Sequence, residues 1–378
     1  MYGYDDSIRF LKDNGGLAQL GEHQAGSLGV KGSNPLSSTL AKGFPVISPK
    51  GEHREDTMKL GVFLVLFGNK KFEVALDKAV ELELETVEIG TGNYPGNAHC
   101  DTEELLKSKS KLDTFHQAIK QRGLEISGLS CHGNPLHPDA TIANAHKKTQ
   151  RDTILLAEKL GIQRIITFSG CPGDNPSAKY PNWVTCPWPE DFSKVLKWQW
   201  EKKIIPYWKD EVKFAKQHKI KEICLEMHPG FMVYNPETLL KLRDAVGEEI
   251  GANFDPSHLF WQGIDPIAAL KKLKGAVYHV HAKDTKIDVY NTAVNGVLDT
   301  KNYLDEINRS WIFRSVGYGH GYEFWNDFIS TLRMIGYDGA ISIEHEDSLM
   351  ASEEGLKKAI RFLKQVLIKE SRPQVWWT

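Results

Sequence analysis

The stretch Val277–Thr285 alternates apolar and polar residues and places His279, His281 and Lys283 on one face of a short strand. Burying three ionisable side chains unpaired is expensive, so a polar site at the end of that strand is the simplest reading. Three other apolar runs end in similar residues. The run 222–229 carries Glu226, 250–258 carries Asp255 with His258 three residues on, and 339–347 carries Glu344. Two glutamates, an aspartate and a histidine make a mixed oxygen and nitrogen set without thiolate, which suits Mn2+, Mg2+, Co2+ or Zn2+. Three carboxylates drawn together would otherwise repel one another and take up protons. One divalent cation removes that cost. Taken singly, each carboxylate reads equally well as a rim group paired with a lysine or arginine.

Such convergence requires strand ends that meet. From Met58 the pattern alternates strand and helix, with strands expected at 59–67, 86–90, 124–132, 164–170, 222–229, 250–258, 277–285 and 339–347. Helices are expected at about 69–83, 102–122, 139–160, 194–219, 235–246, 265–274, 323–335 and 352–367. Asn235-Pro236 and Asp265-Pro266 read as an N-cap followed by proline at the first helical position. Gly123, Gly161, Gly247, Gly275 and Gly336 fall where helices should stop. Eight strand–helix repeats predict an α/β (β/α)8 TIM barrel over 58–378, in which strands five to eight are neighbours and their C-terminal ends converge.

Two long segments follow strands four and seven and are expected at that same mouth, as lids or specificity walls. The first, 171–193, carries Trp183 and Trp188, which could stack on a ring of the substrate or anchor the loop. The second, 286–322, carries Arg314, a candidate for an anionic substrate, and Gly317–Gly321, which gives a lid room to bend. This glycine run lacks the GK[ST] ending of a phosphate loop. His132, ending strand three, reads equally as a group binding a substrate hydroxyl and as a structural histidine. Lys283 could hold a substrate oxyanion or pair with Asp255 or Glu344. His279 lies deeper and reads as a satisfied core histidine, while His228 and His345 read as groups flanking the ligands.

Composition narrows the function classes. The chain has 378 residues, a formal charge of -2 and 41% hydrophobic residues, a globular balance with no electrostatic case for nucleic acid or an anionic membrane. No apolar run approaches the roughly 18 residues of a membrane span. Five scattered cysteines without a CxxC pair fit a reducing cytoplasm. Residues 1–57 are rich in Gly, Ser, Lys and His and are expected to be a disordered or misassigned leader. Within them, 16–39 resembles the conceptual translation of a transfer-RNA gene, which would make Met58 the true start. A homo-oligomer is compatible with this sequence.

The order Glu226, Asp255-x-x-His258, His281-x-Lys283-Asp284 and Glu344 resembles the xylose-isomerase-like sugar phosphate isomerase/epimerase superfamily over essentially all of 58–367. The resemblance implies that Glu226, Asp255, His281 and Glu344 are metal ligands and that His258 binds substrate at the rim. In ketose 3-epimerases of this superfamily the two glutamates are also acid and base on opposite faces of the sugar. Those epimerases carry an arginine six residues beyond the metal-binding histidine, where this chain has Ile287. The expectation is a divalent-metal-dependent isomerase or epimerase of a small sugar or polyol, abstracting a proton next to a carbonyl through a metal-stabilised enediolate. An inosose-type dehydratase or lyase would share that first step. An abasic-site endonuclease needs further histidines and a basic face, and a non-catalytic sugar-binding barrel would not need the quartet.

Overall fold

Short, β-branched-rich runs form the staves of a closed parallel barrel in the computed structural model, which describes residues 57–377. In chain order the strands are β1 (Lys59–Phe63), β2 (Thr86–Gly90), β3 (Glu125–Ser130), β4 (Arg164–Thr167), β5 (Glu222–Glu226), β6 (Ile250–Phe254), β7 (Val277–Ala282), β8 (Asp284–Ile287), β9 (Trp311–Arg314) and β10 (Ala340–Ile343). Strands β1 to β7 and β10 close the barrel, with β10 pairing parallel to both β1 and β7. The (β/α)8 barrel expected from the alternation is therefore the observed fold. The register sets Asn253 beside Glu226 and Ser342 beside His281, which brings the polar ends of β5, β6, β7 and β10 to one mouth.

Helices shield the barrel because their apolar stripes have nowhere else to go. Ala140–Leu160 buries Ile154, Leu156, Ala157 and Leu160. It is capped by Asp139, which accepts from the amide of Thr141 at 2.7 Å. It stops at Gly161, whose φ of 73° is left-handed. Pro236–Val246 begins with a full capping box between Asn235 and Thr238, and Asp265 caps Pro266–Lys272.

Several boundaries differ from the sequence reading. The first strand ends at Phe63 and becomes a 3-10 turn, Leu64–Phe67. The helix expected at 102–122 is broken at Ser108, whose hydroxyl caps a second helix, Lys109–Lys120. The helix expected at 194–219 starts early, at Glu190, and contains a π segment, Gln199–Ile204. There the fully buried Gln199 amide donates to the carbonyls of Gly173 (3.0 Å) and Asn182 (2.7 Å), pinning the loop that carries Trp183.

The strand expected over 277–285 divides at Lys283, and the segment after it is not an open loop. Strand β8 pairs antiparallel with β9, and a short helix, Val289–Asn295, lies between them. Trp311 and Phe313 of β9 bury against Trp261 in a small second core. Gly317–His320 is a fixed corner: the buried Asp284 carboxylate accepts from the amides of Gly317 (3.1 Å), Gly319 (3.1 Å) and His320 (2.9 Å), and from His320 Nδ1 (2.7 Å). A glycine is required at 319, since an added Cβ would collide with the Thr285 carbonyl and the Asp284 carboxylate. The leader read at 1–57 lies outside the described residues apart from Thr57. Among the described residues no helix is long and apolar enough to cross a membrane, and all five cysteines are free.

Candidate metal centre

Glu226, Asp255, His281 and Glu344 each offer one ligand atom, and the four atoms lie within 4.8 Å of one another. Bonds of about 2.0–2.2 Å to one cation would place such atoms at most about 4.4 Å apart, a difference that small side-chain rotations close. His281 Nδ1 sits 3.2 Å from Glu226 Oε2 and 3.1 Å from Glu344 Oε2. The other ring nitrogen, Nε2, donates to Glu88 at 2.8 Å, which leaves the Nδ1 lone pair facing the centre. A ligand histidine oriented by a carboxylate in this way is the usual outer arrangement of a metal site.

Electrostatics agree with a cation at this point. Burial pushes the Glu226 carboxyl up, but hydrogen bonds with His132, His258 and His281 outweigh it and hold the group well below the usual carboxylate range. Glu344 is likewise pushed up by burial and brought far down by the charges of Lys283 and His281. Glu88, fully buried, is held at about 2: desolvation opposes ionisation, and His281 with His279 and Ser130 overcomes it. Burial disfavours charge on His281, yet Glu88 and Glu344 raise it well above its ordinary value. A divalent ion would take the place of that second imidazole proton. Asp255 supplies the sharpest test of fit. Its Oδ1 accepts from the Ser257 amide at 2.8 Å, while the buried Oδ2 makes no hydrogen bond. Lys283 Nζ and His258 Nε2 lie 3.1 and 3.2 Å from Oδ2, close enough for ion pairing but outside hydrogen-bond directions. An acceptor left over among three carboxylates and one imidazole suits a hard or borderline divalent cation.

A cavity of about 400 Å3 opens over the centre. Glu226, Glu344, His132, His258, Lys283 and His228 line it, together with Phe63, Phe168 and Phe231, whereas Asp255 and His281 do not. The two glutamates are thus the members of the quartet that also face the space where a substrate would lie. His132 Nε2 is 3.2 Å from Glu226 Oε2, and His258 Nε2 is 3.1 Å from Glu226 Oε1. Lys283 is fully buried and lies 2.8 Å from Glu344 and 3.1 Å from Glu346, so it touches the cavity while pairing with the carboxylates. His228 donates through Nδ1 to the Pro229 carbonyl at 2.6 Å, and burial lowers its pKa to about 3, keeping the ring neutral.

Three sequence candidates lie elsewhere. Trp183 lines an adjoining cavity and packs edge-on against Tyr234. Trp188 is 78% exposed and lines neither cavity, because the loop carries it outward. Arg314 is occupied by Asp347 at 3.1 Å and lies over the Tyr318 ring. His279 is a satisfied core group, with Nδ1 2.8 Å from the Asn253 amide oxygen. His345 bonds to Ser315 and the Met350 carbonyl. Sequence reasoning misses Glu88 and Asn253. Asn253 donates to Glu226 at 2.9 Å, and Glu88 gathers His281, Ser130 and Ser342. A lone acid or amide inside an apolar barrel strand is the available signal for both.

The family model for xylose isomerase-like TIM barrels matches residues 76–366. The uncharacterized protein YfiH of Bacillus subtilis (strain 168) is 41% identical over 312 residues, covering 82% of this chain and 99% of that protein. Among solved structures, the probable 3-DHS dehydratase AsbF of Bacillus anthracis superposes with a TM-score of 0.58 at 17% identity, covering 81% of this chain and 99% of that one. A D-tagatose 3-epimerase-like protein superposes with a TM-score of 0.53 at 21% identity, covering 82% and 99%. At these identities the structural likenesses speak for the fold.

Proposed function

Because the chain belongs to the xylose isomerase-like TIM-barrel family, we propose that it is a divalent-metal-dependent isomerase or epimerase of a small sugar or polyol, with Glu226, Asp255, His281 and Glu344 as the ligands. The observation that carries this reading is that Glu226 and Glu344, alone of those four, also line the cavity. Both are depressed in pKa, so both stand as carboxylates able to accept a proton from carbon. A bound Mn2+, Mg2+, Co2+ or Zn2+ would supply Lewis-acid polarisation of a carbonyl oxygen. One glutamate takes the proton from the carbon next to the carbonyl; a proton then comes back from the other, once Lys283 Nζ, 2.8 Å from Glu344, or solvent has protonated it, or from the same one after rotation. The first outcome is epimerisation and the second isomerisation. His132 and His258 hold Glu226 in place and line the space where a sugar would lie, while the Phe63, Phe168 and Phe231 walls suit the apolar face of a sugar ring.

Dehydration is the second reading, favoured by one contact. Lys283 Nζ lies 2.8 Å from Glu344 and borders the same cavity, where an ammonium can protonate a departing hydroxyl. Incubating metal-loaded protein with candidate keto-sugars and inososes in D2O distinguishes the outcomes. Exchange of a carbon-bound hydrogen without change of composition fits the first reading, and loss of water with a new enone absorbance fits the second. Glu344→Gln should fold normally and lose about 100- to 10,000-fold in exchange rate. Full exchange in that variant would exclude Glu344 from proton transfer.

A further inference from the structure

A second cavity of about 360 Å3 adjoins the first and shares His228 and His258 with it. Its walls are aromatic: Trp183, Trp261, Tyr303, Trp311 and Phe313. A single sugar ring over the metal centre leaves this space unused, and each cavity by itself is in the range of about 300–1,000 Å3 common for ligand sites.

The aromatic wall is built rather than incidental. Trp261 and Trp311 stack with centroids 4.5 Å apart and planes 6° from parallel. The Trp311 indole donates to the Val297 carbonyl at 3.0 Å, and the buried Arg309 guanidinium braces both Trp311 and Tyr303 from behind, at 4.6 and 4.4 Å. Phe313 lies under Lys283 Nζ at 4.8 Å and meets His258 edge-on, with centroids 5.4 Å apart. This last contact ties the wall to the metal-site rim. The cavity has no lysine or arginine among its lining residues, and its one carboxylate, Asp299, already accepts from Ser310 and Lys301. The chemistry offered is flat and largely apolar, with no positive charge.

We infer that this cavity is a second substrate subsite, and that the natural substrate carries a neutral ring attached to the sugar that sits at the metal centre. The attached ring is either an aryl aglycone or a second sugar ring, since both present an apolar face to tryptophan. A phosphate is unsuited to this position. The inference rests on the proposed function for the placement of the first ring, and it names the substrate class of that same site.

Calorimetric titration of the metal-loaded full chain tests it. The probes are phenyl α- and β-glucosides and galactosides, cellobiose and maltose, with glucose, galactose and glucose 6-phosphate as references. At least one two-ring probe should bind about fivefold or more tighter than its parent monosaccharide. The aryl and disaccharide arms show which kind of ring is preferred. That gain should disappear in Tyr303→Ala and in Thr300→Trp, which remove and fill the subsite at exposed positions, with thermal melts checking that both variants fold. A gain below about fivefold for every two-ring probe, a gain that survives both variants, or a preference for glucose 6-phosphate over all two-ring probes would each overturn the inference. Binding is read without turnover, so failure of the D2O exchange with a two-ring preference intact would sink the proposed reaction and spare the subsite. The opposite pair of results would sink the subsite alone.

Discussion

Glu88 and Lys283 act on the proposed ligands from opposite sides. Glu88 accepts from His281 Nε2 at the barrel floor, so Glu88→Gln should loosen the ring and weaken its basicity. Metal affinity, measured by competition with a chromophoric chelator, should fall by about 10- to 100-fold with the fold intact. Lys283 neutralises Asp255, Glu344 and Glu346 from above. Lys283→Met leaves buried carboxylates without their cation, a change that costs about 3–5 kcal/mol when nothing replaces it. The melting temperature of that variant should therefore drop strongly in chelator and much less with saturating metal; an equal drop in both would mean that the two cations do not share these carboxylates. The proposed ligands are legible because acids and histidines that repeatedly end apolar runs cost energy to place there unless a site uses them. Glu88 is not, because a single acid between Val87 and Ile89 looks the same whether it serves a site or a buried ion pair.

At the scale of elements, the β8–β9 hairpin decides what surrounds the cavity, and it hangs on Asp284. That carboxylate accepts from the backbone amides of Thr285, Gly317, Gly319 and His320, from the His320 ring and from the Trp325 indole. Asp284→Ala should leave those donors unpaired and cost at least about 2–4 kcal/mol, seen as a lower denaturation midpoint. Protease nicking between 286 and 322 should rise with it, and unchanged nicking would show that the corner is held by other contacts. In sequence, 286–322 reads as an open segment because β8 and β9 are four residues each and pair only with one another. Gly317–Gly321 reads as a bending point, since glycine composition alone does not distinguish a hinge from a turn wrapped around a buried anion. The strand–helix alternation is more readable, because caps such as Asp139, Asn235 and Asp265 carry their own local signal.

For the whole molecule, closure of the barrel is what turns four distant stretches into one centre: β10 returns to pair with β1, and every barrel strand then has two neighbours. A cation bound by the proposed ligands on β5, β7 and the ends beyond β6 and β10 would fasten elements from Glu226 to Glu344 to each other. Metal at about 100 times its Kd should add about 2.7 kcal/mol to unfolding, read by calorimetry as a rise of several degrees over the chelated protein. No rise would mean that the ion does not bind the folded chain preferentially. Alternation along the sequence foretells the barrel, while its closing pair lies 281 positions apart (340 minus 59) and is visible only as a consequence of strand number.

The corner around Asp284 has a consequence for how this protein could change. The wall formed by β9 begins and ends beside one anchor, a residue away from Lys283, while the proposed ligands Glu226, Asp255, His281 and Glu344 sit on or just past the ends of barrel strands. Replacing residues 286–316 as a block between these fixed points should therefore alter the aromatic wall while leaving the groups beneath it in place.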